Sequence, residues 1–229
     1  ALAQVDSPMK HLFSLAALLG ITLMSATAQT SRVRVVHASA DAPAVDILVD
    51  GNVAFQSMKF RDYTNYTPVP SGMRMLSINV AGTNTTALRL PFTLMNGVDY
   101  TFYAFGKLGN FTLTIIGTGD DLEAPAMNST KVRVVHGAST APAVDIFVTA
   151  PFAALPNMPL LTGVPFTAAS HYLTVPAGDY HARVAVAGTK TVAIDSRRLR
   201  LTGGTVRTIV ALDGPEGGPF ELLVLNDVN

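Results

Sequence analysis

Beyond residue 30, apolar and polar positions alternate along this chain with a period of two. Val33, Val35 and His37 fall on one side against Arg34 and Val36, and Val45, Ile47 and Val49 against Asp46 and Asp50. Successive side chains of an extended backbone point to opposite faces, so the pattern predicts strands with two unlike faces. Turn chemistry interrupts the runs at Asp50-Gly51, Pro70-Ser71-Gly72, Asn96-Gly97 and Gly106 to Asn110. Asp50-Gly51 suits the tightest hairpin, whose two central residues both need positive φ. Between the turns, Met73 to Val80, Val98 to Phe105 and Phe111 to Gly117 are rich in β-branched or aromatic residues, which favour strands. No amphipathic helix of useful length interrupts them. Seven or eight short strands in some ninety residues predict a β-sandwich, two sheets burying one face each.

The pattern is written twice. Val33-Arg34-Val35-Val36-His37 returns 99 positions later as Val132-Arg133-Val134-Val135-His136, and Ala42-Pro43-Ala44-Val45-Asp46-Ile47 returns at the same shift as Ala141-Pro142-Ala143-Val144-Asp145-Ile146. Further on, Phe60, Tyr66, Val69-Pro70 and Gly72 match Phe166, Tyr172, Val175-Pro176 and Gly178 at a shift of 106. The second copy therefore holds about seven extra residues, placed in the proline-rich stretch Ala150 to Pro165, which reads as an enlarged loop. A period near one hundred residues is too long for a solenoid and indicates a duplicated domain. Two domains are expected, at 31–119 and 131–229, joined by a polar linker at 120–130.

The motif Val33 to Gly51, with VRVVHAS, DAPAVD and VDILVDG, resembles the DUF4397 family of extracellular bacterial domains, and the VPSG and VPAG turns are similar to that family's pattern too. The resemblance covers both copies. It implies an exported, often tandem, immunoglobulin-like or transthyretin-like all-β sandwich of unknown function. The second copy departs from the pattern with Val148-Thr149-Ala150 where the first has Val49-Asp50-Gly51, so the proline-rich loop is expected to replace the tight hairpin.

Composition adds constraints on partners. Of 229 residues 48% are hydrophobic and 14% charged, with sixteen basic against sixteen acidic residues. That is ample for a core and leaves no field of one sign to gather nucleic acid. Without cysteine there are no disulfides, thiolate metal sites or lipid-modified cysteine anchor. At the start, the basic Met9-Lys10-His11, the apolar Leu12 to Met24 and the small-x-small Ala26-Thr27-Ala28 read as a signal peptide cut after Ala28. The apolar run is too short for the roughly 20 residues of a spanning helix, so no permanent membrane anchor is expected. Residues 1–28 are set aside as removed, with Ala1 to Pro8 preceding the expected initiator Met9. The expected location is extracellular, at the cell surface or in the periplasm.

Candidate chemistry is sparse. His37 and His136 each precede an equivalent acid, Asp46 or Asp145, by nine residues. Such a pair could orient an imidazole for metal binding or proton transfer. The stronger reading is a structural pin, satisfied mutually or by nearby backbone. His171 and His181 lack ligand neighbours at zinc spacing. Asp120, Asp121 and Glu123 lack the pattern of a calcium loop and read as solvated linker. The run Arg197-Arg198-Leu199-Arg200 reads as a charged edge strand. No nucleophile elbow or phosphate loop occurs, so no catalytic, cofactor or metal residue is assigned and an enzyme is not expected. A hydrolase or metalloenzyme around His37 and Asp46 is the weakest reading. Tyr63, Tyr66, Tyr100 and Tyr103 form a possible binding surface for a glycan or partner, although alternation sends Tyr100 with Phe102 to one face and Tyr103 with Phe105 to the other. Four N-x-Ser/Thr sequons, at Asn65, Asn84, Asn110 and Asn128, would matter only in a eukaryotic secretory pathway. The expected role is a non-catalytic structural, adhesive or assembly module. Its expected partners are other copies of itself or surface and matrix components. A glycan or small-ligand binding module is the alternative.

Overall fold

The computed structural model describes residues 29–109 and 112–228. The signal-peptide reading of residues 1–28 lies outside the described residues. Those described are all-β, with one short 3-10 turn at Pro215–Gly217, and among them no helix is long and apolar enough to cross a membrane.

The first repeat supplies β1 (Thr30–His37), β2 (Val45–Val49), β3 (Asn52–Met58), β4 (Thr67–Pro70), β5 (Gly72–Val80), β6 (Thr86–Leu94), β7 (Asp99–Phe105) and β8 (Thr114–Asp120). They form two sheets, ordered β4-β1-β7-β8 and β3-β2-β5-β6. The second repeat supplies β9 (Ser129–His136), β10 (Val144–Thr149), β11 (Leu161–Val164), β12 (Leu173–Pro176), β13 (Gly178–Val186), β14 (Val192–Asp195), β15 (Leu199–Leu201), β16 (Val206–Leu212) and β17 (Glu221–Val228). Its sheets are β12-β9-β16-β17 and β11-β10-β13-β14, with β15 also on β13. The duplication extends to register. Val35 of β1 lies beside Phe102 of the parallel β7, and Val134 of β9 beside Ile209 of the parallel β16.

Alternation places the cores. Val33 and Val35 face inward with Phe102, Ala104 and Ile115 against Val45, Ile47, Leu76 and Ile78 of the partner sheet. Val132, Val134, Ile209 and Ala211 do the same against the β10 sheet. The opposite face of the β1 sheet carries an apolar patch as well. Val36, Tyr103, Phe105 and Ile116 pack on Val135, Val210, Leu212, Leu223 and Leu225 of the second repeat. The result is a stack of four sheets with a third apolar layer in the middle, between the β1 and β9 sheets.

The turns follow their chemistry. Asp50 and Gly51 both have positive φ, 52° and 83°, as a two-residue hairpin demands. In the second repeat the chain instead leaves β10 through 150–160 before β11. Lys190 Nζ donates to the carbonyls of Pro156 and Asn157, and Arg183 to that of Ala154. The ammonium of Lys190 also sits 4.4 Å above the Phe147 ring, which is buried.

Asp120 corrects the expectation of a solvated linker. It ends β8 and its side chain has no exposed area, because it faces the second repeat rather than water. Asp121 fits the solvated reading, half exposed and 2.7 Å from Lys131 Nζ. Arg200 lies in the edge strand β15, and Arg198 just before it pairs with Asp179 at 2.6 Å.

Candidate functional site

A buried gathering of polar side chains lies in the middle layer. Arg34 on β1 and Arg133 on β9 project from outward positions of their strands, where period-two reasoning places solvent. Each meets the other repeat instead. Arg34 Nη2 is 2.8 Å from Asp227 Oδ1 and Arg133 Nη2 is 2.7 Å from Asp120 Oδ1, with side-chain exposures of 1% and 0% in the first pair and 3% and 0% in the second. The surroundings repeat as well. Arg34 donates to Thr101 Oγ1 and Arg133 to Thr208 Oγ1. Thr101 donates to Asp120 at 2.5 Å and Thr208 to Asp227 at 2.6 Å. Tyr66 donates to Asp120 and Tyr172 to Asp227, while their rings lie 4.7 and 4.6 Å beneath the Arg34 and Arg133 guanidiniums. The remaining arginine nitrogens reach the carbonyls of Asn226 and Gly119.

A buried charge pair loses its hydration and is tolerated only when further hydrogen bonds complete each ion. This network supplies them. Burial works against the Arg34 charge, yet Asp227 and then Tyr66 hold its pKa above the ordinary arginine value. Burial likewise opposes the Arg133 charge, and Tyr103 with Asp120 raises it. Burial, then Asp120, pushes the Tyr66 hydroxyl well above the usual tyrosine range, so it stays a donor. Tyr103 breaks the symmetry. Its hydroxyl accepts from Arg133 Nη2 at 3.1 Å, whereas the residue at its register in the second repeat is Val210.

The residues singled out from the sequence are scattered by comparison. His37 does not meet Asp46. Its Nε2 is 3.1 Å from the Pro43 carbonyl, and Asp46 accepts from the amides of Ser57 and Gly82. The second copy repeats this, with His136 on the Pro142 carbonyl and Asp145 accepting from Gly163 and Gly188. Each residue ties a loop to a strand separately. The tyrosines do not form one exposed row. Tyr103 is wholly buried between the repeats, Tyr100 packs on the first core and Tyr66 is committed to Asp120. Tyr63 alone of the four stands well out into solvent, 38% exposed. The cause is the third apolar layer, which buries the strand face that a single sandwich would show to water. His181 pairs with Asp195 at 2.6 Å. Among the described residues no group of three or more His, Asp or Glu gathers to hold a metal ion.

Sequence reasoning did not pick out Arg34, Thr101, Asp120 and their counterparts as a set. One signal was available: each has a counterpart in the second repeat, Arg34 at a shift of 99 as Arg133, and Thr101 and Asp120 at a shift of 107 as Thr208 and Asp227.

Fold and interface together define a tandem β-sandwich protein whose two repeats are joined face to face by a reciprocal buried network. The chain belongs to the family described as a domain of unknown function, DUF4397, whose model matches residues 31–147 and 152–229. Among curated proteins, none matches the chain. Solved structures similar to it include the Bacillus anthracis TIE protein, at 8% identity over 82% of this chain and 34% of that one, with a TM-score of 0.26. The chain thus spans about a third of that protein. A family CBM26 module of Eubacterium rectale Amy13K, solved with maltoheptaose, is 11% identical over 87% of this chain and 98% of its own, at a TM-score of 0.28. A streptococcal family 41 carbohydrate-binding module is 11% identical over 86% and 97%, at 0.27. Likeness at this level says nothing of what the present chain binds.

Proposed function

We propose that this protein is an exported, non-catalytic structural module of the cell surface or extracellular matrix. Its two repeats act as one rigid block that serves as spacer, adhesive unit or assembly subunit. The observation that carries the reading is the reciprocal network of Arg34 with Asp227 and Arg133 with Asp120, set in the apolar layer of Val36, Phe105, Val135 and Leu225. A hinge between binding domains would be expected to expose such a surface. The groups most able to do chemistry also have structural occupations: His37 and His136 hold carbonyls, and Asp46 and Asp145 hold pairs of amides.

Light scattering of the protein at high concentration, with retention assays on cell-envelope fragments and a glycan array, tests the proposal. Self-association or retention on envelope material, without turnover of ester, peptide or glycosidic substrates, is the expected result. A strict monomer that adheres to nothing, or turnover of any of those substrates, would overturn it.

A further inference from the structure

The two sandwich cores are not equally filled. Between the two sheets of the second repeat lies a cavity of about 70 Å³ lined by Val134, Ile146, Ala182, Leu199, Leu201 and Ile209 among others, all of its lining side chains being apolar except Tyr180. The Tyr180 hydroxyl is turned away and donates to the Pro176 carbonyl at 2.7 Å. The nearest counterpart in the first repeat measures about 10 Å³.

Register explains the difference. Phe102, beside Val35, is replaced by Ile209 beside Val134. Phe92, opposite Arg74, is replaced by Leu199 opposite Tyr180. Leu76 corresponds to Ala182 at the shift of 106 that relates Gly72 to Gly178. Leu90, which faces Leu76 on the unbroken β6, has no equivalent, because that strand is divided into β14 and β15 and Ser196 turns its hydroxyl to the Ala182 amide at 2.8 Å. Val224, opposite Ile209 where Gly117 faces Phe102, returns only part of the volume.

An apolar cavity of this kind stays dry and takes apolar guests. With no polar atom aimed inward, a sugar or other hydrogen-bonding ligand would lose its hydration without replacement. The lining reaches the protein surface at Leu160, which is 54% exposed. A guest can leave a polar end outside and insert a thin apolar tail. We infer that the second sandwich is a binding site for the end of a linear aliphatic chain, entering beside Leu160 and resting on Ala182, Leu199 and Ile209. This site is independent of the structural role proposed above.

The test is a titration of the whole chain with sodium octanoate below its micellar concentration, read at the methyl groups of Ala182, Val184, Leu201 and Ile209 by NMR. Saturable shifts of these methyls are expected, with acetate leaving them unmoved. Ala182→Leu and, separately, Leu199→Phe restore the side chains of the first repeat, and each is expected to weaken the response at least tenfold. Two variants guard against one that fails to fold. Absence of saturable shifts in the unaltered chain, an equal response to acetate, or an undiminished response in a folded variant would overturn the inference. Benzene binding there without octanoate would overturn the assignment to a linear chain.

Discussion

Arg34 of the first repeat and Asp227 of the second lie 2.8 Å apart with almost no exposed area on either side chain. Asp227 also accepts from Thr208 and Tyr172, so removing the arginine leaves a buried carboxylate with neutral donors alone. Breaking one member of such a pair costs about 3–5 kcal/mol, whereas replacing both by apolar groups of similar volume is often neutral. Arg34→Met is therefore expected to destabilise the chain by about that amount. The double variant Arg34→Met with Asp227→Leu should recover most of the loss. Urea denaturation of the two single variants and the double closes the cycle, and additive losses would show that the two residues do not act on each other.

A second expectation concerns pH. Burial holds the pKa of His37 below its ordinary value, with the Pro43 carbonyl and Asp62 pulling weakly the other way. Burial also lowers His136, against the Pro142 carbonyl and Asp213. In the geometry at His37, Nε2 donates to Pro43 and Nδ1 receives the Ser39 amide, an arrangement that requires a neutral ring. With the folded pKa depressed, the unfolded chain binds more protons below about pH 6.5, so stability is complete above that value and falls as pH drops through the interval to the folded pKa. Each histidine can contribute a slope of up to about 1.4 kcal/mol per pH unit there. Denaturation midpoints of the parent and of the His37→Gln, His136→Gln double variant, measured from pH 7.5 to 5, should diverge in slope, the variant being flatter. Parallel profiles would remove the histidines as the cause.

Much of this architecture was legible in the chain. Period two in Val33 to His37 located the strands and Asp50-Gly51 located the hairpin; of the stretch 150–165 expected as a loop, 150–160 is one, whereas Leu161–Val164 form β11, paired with β10. The site was less legible for a physical reason. Alternation separates two faces of a strand but does not say what covers the second, so Arg34 reads as a solvated residue and Asp120 as part of a linker. The contact from Arg34 to the Asn226 carbonyl spans 192 positions, beyond any local pattern. The histidine and aspartate spacing was real, yet it recorded two separate ties to loops.

Close packing of the middle layer gives a further prediction. A Cβ placed on Gly137 would come within 2.3 Å of Phe105 Cε1 and 2.7 Å of Cδ1. Phe105 is wholly buried and stacked on Tyr103 at 5.1 Å, so the ring has little room to yield. Gly137→Ala is expected to cost about 1–3 kcal/mol, the range for overpacking a tight core. Gly178→Ala serves as the control, because a Cβ there meets nothing within 4 Å, and its effect should stay within about 0.5 kcal/mol. Thermal melts of the two variants settle the comparison. Equal melting temperatures would mean that the repeats are not packed as tightly as their aromatic contacts indicate.

The paired acids offer the last prediction, because the two copies use them in different settings. Asp145 is buried and accepts from the amides of Gly163 at 2.7 Å and Gly188 at 2.8 Å, tying β11 and the turn after β13 to β10. Asp46 makes the equivalent bonds to Ser57 and Gly82 from a more exposed position. An amide deprived of its acceptor costs about 1–3 kcal/mol when water cannot replace it, and solvent reaches the first site more readily than the second. Asp145→Ala should therefore be the more destabilising of the two alanine variants, by about 1 kcal/mol or more. Hydrogen exchange gives the local readout: the Gly163 and Gly188 amides should lose protection in Asp145→Ala while those of Ser57 and Gly82 keep theirs. A larger loss of stability from Asp46→Ala would reverse the ranking and show that burial is not what sets the strength of these ties.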